Sequence, residues 1–460
     1  MRKKVSFADR LKANCSFWTL IGLLVATFLL GGGSRDDITS LVLLRPFAMI
    51  CLVIGLYGLT KEDWHGYRVP LGFVVAIVAL ILLHLIPLPP FLWTMMPGRE
   101  LAIAAGEAVG PTQPWRPISL VPYRAENAFY AMLVPAAVMT LSIRIDIEQR
   151  RKILYLFLGF GIVCALWGIV QSVGGFSRSF YFYSITSTNV PTGFFANRNH
   201  TAALFVSMLP MLALVAGRAK EQNKWVRQFV CMGVAGLLLL MTFATGSRGG
   251  LVFSLVGLAG AAVVWRSRPQ AVTGRRRGKR DLTPYFVAAA CVLGIAGFAV
   301  IMSRADGLDR IMQTEQSEEG RLLAWETILG FLPDYLPFGS GIGSFVEIFK
   351  VHEPDEMLAL NYWNHAHNDW LEWALEGGIP AIILMAAAIF AFFKTARFLI
   401  AGSYSGRLDV QLGLVGTVII FVLGLWSIVD YPLRVPSLAC LAAISAVWMA
   451  APRLAPPCQG

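Results

Sequence analysis

Long apolar runs recur along the whole chain, separated by short polar or basic stretches. Twelve stand out: Phe17 to Leu30, Leu41 to Leu59, Leu71 to Ile86, Phe129 to Ile143, Ile153 to Val173, Thr201 to Ala216, Phe229 to Ala244, Leu251 to Trp265, Tyr285 to Met302, Ile379 to Phe393, Leu412 to Val429 and Leu438 to Ala451. Several are shorter than the ~20 residues of a bilayer crossing, so their ends are expected to extend into flanking aromatic or small residues. Backbone groups in lipid must be satisfied within the protein, and no series of alternating ten-residue segments suggests a barrel. The pattern predicts an all-α polytopic membrane protein of about twelve transmembrane helices.

Composition agrees: 56% of residues are hydrophobic and 15% charged, with mean hydropathy +0.62. Charge then orients the spans. With the N-terminus inside, 26 of the 39 lysines and arginines fall in cytoplasmic segments and 12 in outer ones, with Arg45 inside a span. This is a positive-inside bias, and it puts both termini in the cytoplasm. The acids run the other way, 8 inside and 20 outside. The run RRRGKR, Arg275 to Arg280, is then an inside loop that anchors topology and touches anionic lipid, so the net charge of +11 implies a membrane and no nucleic acid. The first run lacks a small-residue cleavage pattern and is kept as a span. The seven cysteines fall within spans or inside, so no disulfide framework is implied.

One outer segment is far longer than the rest and divides the chain into a bundle over residues 1–302, a large loop over 303–378, and a second bundle over 379–460. Its helical periodicity and aromatics predict a folded cap, with smaller outer loops over 87–126 and 174–200. Within it, SEEGRLLAWETILGFL places Leu322, Leu323, Trp325 and Ile328 on one stripe, with Arg321 at its start, where it caps the helix or pairs with Glu318 or Glu319. PFGSGIGSF, Pro337 to Phe345, lacks the strand and GK[ST] context of a phosphate loop and reads as a tight turn. NYWNHAHNDWLEWALEGGIP gathers polar side chains between tryptophans. Asp369 followed by Glu372 marks a helix start, Trp370, Trp373 and Ala374 share one side, and Gly377 and Gly378 stop a short interfacial helix ahead of the span at Ile379. His365 and His367 precede that N-terminus, whose positive end favours neutral imidazole, the form that acts as a base. Two other readings stand beside it: hydrogen bonds to loop carbonyls, or a metal held with Asp369 if the segment is extended. Arg198, between Asn197 and Asn199, and Arg248, in the hairpin TGSRGGL, sit at the hydrocarbon edge, where an arginine is expected to face protein, water or an anion.

NRNH before a span, GSRGG at a hairpin, GRLLAW and PFGSGIGSF in a large outer loop, and HAHNDWLEWALEGGIP leading into the next span together resemble the O-antigen ligase and polymerase family of bacterial envelope glycosyltransferases. The resemblance covers roughly residues 192–380. The family's ligase pattern of His, then Asn, Ser or Gln, nine residues, Gly, two residues, and Gly, Thr or Val is met by His367, Asn368 and Gly378, while Ala381 departs at its last place. The resemblance implies a GT-C-like fold in the inner membrane. It also implies transfer of a glycan at the periplasmic face from an undecaprenyl-pyrophosphate carrier to a hydroxyl on lipid A core or a growing glycan, inverting, with no metal or cofactor. It implies catalytic roles for His367, Arg248 and Arg321, and substrate binding by Arg198, Asn199, His365, Asn368 and Asp369. Trp93, Trp115 and Trp363 offer sugar-stacking surfaces or belong to an interfacial belt. The rival class is a solute transporter, suggested by twelve spans and by Arg45 and His84 within apolar runs, though no repeat relates the two halves.

Overall fold

The computed structural model describes residues 7–218, 221–268, 320–358 and 362–453. Among the described residues nine helices are long and apolar enough to cross a membrane: Leu41–Gly58, Arg68–Leu85, Pro122–Ile143, Ile147–Val173, Arg198–Gly217, Lys224–Ala244, Arg248–Arg266, Asp369–Ala401 and Leu408–Trp426. Two shorter apolar helices, Asn14–Leu30 and Pro436–Ala450, pack with them. The described residues are mostly helical, as expected of an all-α polytopic membrane protein, with one short antiparallel pairing of Pro87–Leu88 with Arg116–Pro117. The expected span Tyr285 to Met302, the run Arg275 to Arg280 and the acids Glu318 and Glu319 lie outside the described residues.

Helix ends fall where capping chemistry places them, not where hydrophobicity begins. The expected span from Ile153 starts at Ile147, because Asp146 and Gln149 form a reciprocal capping box before the first polar turn. The expected span from Phe129 lies within Pro122–Ile143, one apolar span broken at Met132 into Pro122–Ala131 and Leu133–Ile143. Pro135 has no N–H for the Ala131 carbonyl, which accounts for the break between them. The helix that enters the Ile379 span begins ten residues earlier, at Asp369, and Gly378 (φ 58°, ψ −150°) divides it. Its cap is Asn368, whose side chain accepts from Leu371 N at 3.1 Å. The helix thus starts at Asp369 as expected, and with Asn368 as its cap Asp369 is left for a different contact.

Two ends of the bundle are distinguished by what meets there. At one, Arg144 pairs with Asp63 at 2.6 Å, Arg150 donates to the Tyr67 hydroxyl, and Arg218 donates to Gln411, which reaches Ser267. At the other, Tyr183 reaches Gly32, Arg124 pairs with Asp36 and Glu347, Ile342 N donates to His84, and Asp369 N donates to Ser427 O. The Arg198–Gly217 helix runs through the middle, with 83% of its apolar window buried. Its neighbour Arg248–Arg266 approaches closely because a Cβ on Gly250 would lie 2.9 Å from Ala202 Cβ, and one on Gly257 2.8 Å from Val206. Small residues at such crossings replace the hydrophobic drive that lipid does not supply. This close approach sets Arg198 and Arg248 side by side at two helix N-termini.

The cap sits on the second end. A helix over 320–331 buries Ala324, Ile328 and Phe331 against Tyr335, Phe345 and Phe349. This corrects the expected stripe. Leu322 and Leu323 are exposed, because the helix turns Ala324 inward and uses Trp325 as a tether, its Nε1 donating to Ala366 O at 2.7 Å. The PFGSGIGSF stretch is a strap between the kinked helix and the 119–124 segment. Gly339, Gly341 and Gly343 all have positive φ, at 81°, 110° and 84°, and a Cβ on Gly343 would lie 2.8 Å from Arg124 O. Buried Arg99 pins the strap from below, donating to Ile118 O at 2.8 Å and Gly339 O at 3.0 Å. Trp93 is buried and donates to Pro114 O, so it is a core residue with no ring face for a sugar, whereas Trp115 is 66% exposed.

Candidate functional site

Three helices, starting at Arg198, Arg248 and Asp369, begin at the cap end, each with a side-chain cap. Asn197 accepts from Asn199 N at 2.9 Å, Ser247 from Gly250 N at 3.0 Å, and Asn368 from Leu371 N at 3.1 Å. The N-terminal partial charges of all three helices therefore point to one region, which favours an anion. Arg198 and Arg248 are the first residues of their helices. Arg321 enters from the cap helix, whose Gly320 packs on Trp363. Arg198 feels the charges of both Arg321 and Arg248, and Arg321 acts on Asp430 and Tyr431. Like charges gathered at the hydrocarbon edge are costly unless an anion compensates them.

The two histidines occupy a short loop and face different carboxylates. His367, with φ 50°, turns the chain so that its Nδ1 lies 3.2 Å from Asp430 Oδ1, while His365 Nδ1 lies 2.9 Å from Glu372 Oε1. A non-glycine residue in the left-handed region is strained and marks a position that its surroundings fix. Asp430 is 1% exposed, and its other oxygen accepts from Asn199 Nδ2 at 2.6 Å. Burial alone would push its carboxyl up; the hydrogen bond from His367 and the charges of His367, His200 and Arg321 outweigh that and hold it below the ordinary value. An ionised Asp430 only accepts, so His367 Nδ1 carries the hydrogen of this bond. Burial, and the nearby Arg434 charge, hold His365 well below the usual histidine value, so it is neutral. Tyr431 lies among three imidazoles, with centroids 4.3 Å from His365, 5.0 Å from His367 and 5.1 Å from His200.

Of the residues singled out from the sequence, His367 and Asn199 meet at Asp430, and Arg198 lies within the electrostatic field of both Arg248 and Arg321. His365, Asn368 and Asp369 belong to the scaffold beneath: Asn368 caps the kinked helix, His365 is bound to Glu372, and Asp369 accepts from Arg434 Nε at 2.9 Å. The helix turns its acidic positions inward, and the Trp370 and Trp373 side is the more exposed one. Among the described residues no group of three or more histidines, cysteines, aspartates or glutamates is arranged to hold a metal ion. Arg45 donates to Asn127 and His84 receives Ile342 N, so both are engaged within the bundle and with the cap. Sequence reasoning missed Asp430, Tyr431, Arg434 and Glu376. A signal existed: DYPLR, Asp430 to Arg434, puts two ionisable residues in the short connection between two spans, where an unpaired charge is expensive.

A mostly helical membrane protein with cationic side chains and a histidine–aspartate pair gathered at one end of its bundle is the class that fold and site define. Residues 233–386 match the family model described as O-antigen ligase. The matched segment holds Arg248, Arg321, His365 and His367, while Arg198, Asp430 and Arg434 lie outside it. No curated protein matches the chain.

Proposed function

We propose that the protein is an inner-membrane glycosyltransferase of about twelve spans with a GT-C-like architecture. It moves a glycan from an undecaprenyl-pyrophosphate carrier to an acceptor hydroxyl at the periplasmic face, as an O-antigen ligase or a polysaccharide polymerase does. The observation that carries the reading is the meeting of His367 and Asn199 at buried Asp430, with Arg321 in range of the same carboxylate and Arg198 in range of Arg321 and Arg248. The family match over residues 233–386 supports it. Cleaving the bond from anomeric carbon to pyrophosphate develops negative charge on the leaving group. Guanidinium groups at converging helix N-termini stabilise that charge without a metal, each charge-assisted bond being worth roughly 1.5 to 3 kcal/mol. His367 Nε2 takes the proton of the attacking hydroxyl as the new glycosidic bond forms, and Asp430 holds the imidazolium that results. A single displacement inverts the anomeric carbon. The carrier lipid enters laterally from the bilayer, and the acceptor is lipid A core or a glycan.

The transporter reading drew on twelve spans and on Arg45 and His84, and the partners of those two residues give it no support. The test is direct. Purified protein in nanodiscs, given a polyprenyl-pyrophosphate oligosaccharide and a glycan or lipid A-core acceptor, is expected to form product in the presence of a chelator, and His367→Ala to abolish it with the fold retained. Transport of solute by liposomes with no glycan transfer would overturn the proposal.

A further inference from the structure

The loop carrying both histidines is held by one buried carboxylate. Glu372, 1% exposed, accepts from Ala366 N at 2.8 Å with Oε2, and its Oε1 lies 2.9 Å from His365 Nδ1. An amide can only donate, so Oε2 accepts there, and a guanidinium beside Oε1 favours the ionised carboxylate, which then receives the imidazole N–H as well. An ionised carboxylate out of water is costly unless an opposite charge accompanies it. Arg434 supplies that charge, with Nη2 3.0 Å from Glu372 Oε1. The same guanidinium donates to Asp369 from Nε at 2.9 Å and lies 3.6 Å from Glu376 Oε2, so one cation serves three carboxylates on one face of the kinked helix.

We propose that Arg434 is a positioning residue of the site: it keeps Glu372 ionised, Glu372 clasps His365 and Ala366, and the clasped loop presents His367 to Asp430. The kinetic consequence rests on the transferase reading; the clasp itself does not. Removing Arg434 leaves three inward carboxylates without their cation, and proton uptake by Glu372 then competes with the clasp. The groups around it are Asp369 and Glu376 on the same helix, His365 and His367 in the loop, Asp430 and Tyr431 beside Arg434, Arg321 from the cap helix and His200 from the Arg198 helix. Raising the pH restores ionised Glu372 and with it the clasp.

The experiment compares the full-length wild type with Arg434→Gln, Arg434→Lys and Glu372→Gln in nanodiscs. Two quantities are read from pH about 6 to about 9: glycan transfer, and hydrogen exchange of the peptide containing Ala366, normalised to wild type at each pH. For Arg434→Gln the expected result is kcat lower by about tenfold or more, acceptor KM within about twofold, and Ala366 exchange about tenfold faster, with both kcat and exchange returning toward wild type as the pH rises. Arg434→Lys, which keeps the charge, is expected to fall between them, and Glu372→Gln to remain defective at every pH. Wild-type exchange in Arg434→Gln, or a folded variant whose defect ignores pH, would overturn the proposal. If Arg434→Gln does not fold, the near-isosteric Glu372→Gln decides, and wild-type exchange at Ala366 in that variant overturns it. A wild type that transfers no glycan counts against the transferase reading, while the exchange measurements still decide the clasp.

Discussion

Replacing Asp430 by asparagine keeps the shape of the side chain and removes its charge. In the native protein Oδ1 receives His367 Nδ1 at 3.2 Å and its own neighbour Tyr431 N at 3.0 Å, and Oδ2 receives Asn199 Nδ2 at 2.6 Å. The new amide places its oxygen toward His367 and Tyr431, and Asn199 flips to accept from its NH2. The hydrogen-bond count then survives, and the loss concentrates on His367. A charge-assisted bond of about 1.5 to 3 kcal/mol becomes a neutral one of about 1 kcal/mol. The difference of about 0.5 to 2 kcal/mol corresponds to a rate factor of about 2 to 30. It bears on the step in which His367 becomes charged, so it is expected in kcat and not in acceptor KM. Steady-state transfer by purified wild type and Asp430→Asn, with melting temperatures measured alongside, reads this out. An unchanged kcat, or a loss that resides entirely in KM, would refute the assignment of His367 as the base oriented by Asp430.

Arg248→Lys keeps the charge but not the planar fork, and is expected to lower kcat by about tenfold with melting unchanged; transfer at wild-type rate would show that the fork is not used. Gly341→Ala puts a methyl group into Ser119 at φ 110°, so a cost of about 1 to 3 kcal/mol is expected as a lowered melting temperature and weaker protection of the cap in hydrogen exchange. Because His365 is held below the ordinary value of about 6.5, the unfolded chain binds more protons there. Its stabilisation is present in full above that pH and declines as the pH falls toward the lowered folded value. Between pH about 7.5 and about 5.5 the wild type is therefore expected to lose more melting temperature than His365→Gln, and equal losses would remove His365 from the account.

Much of the site was legible because its residues break local rules. Arg198 and Arg248 stand at the edges of apolar runs, and His365 and His367 interrupt a greasy sequence beside helix-start signals; both patterns are visible within a few positions. The partners were not legible, because they come from the far side of the chain: Asp430 reaches His367 across 63 positions and Asn199 across 231. The cap's buried face was misread for the same kind of reason. Leu322 and Ala324 compete for the inward position, and intrinsic hydrophobicity favours the leucine. The observed rotation follows from Trp325 reaching Ala366 and from Gly320 packing on Trp363.

The sequence by itself determined that the chain lives in a membrane as helices, since an apolar run in lipid has no other way to satisfy its backbone. It also determined where the chain departs from apolar character, and so which residues needed an explanation. Only the tertiary structure decided which charge answers which. The kink at Gly378 and the glycine-mediated approach of two helices bring Arg434 under three acids and Arg198 beside Arg248. Such pairing depends on distances of a few ångströms between elements far apart in the chain, and burial makes those distances matter.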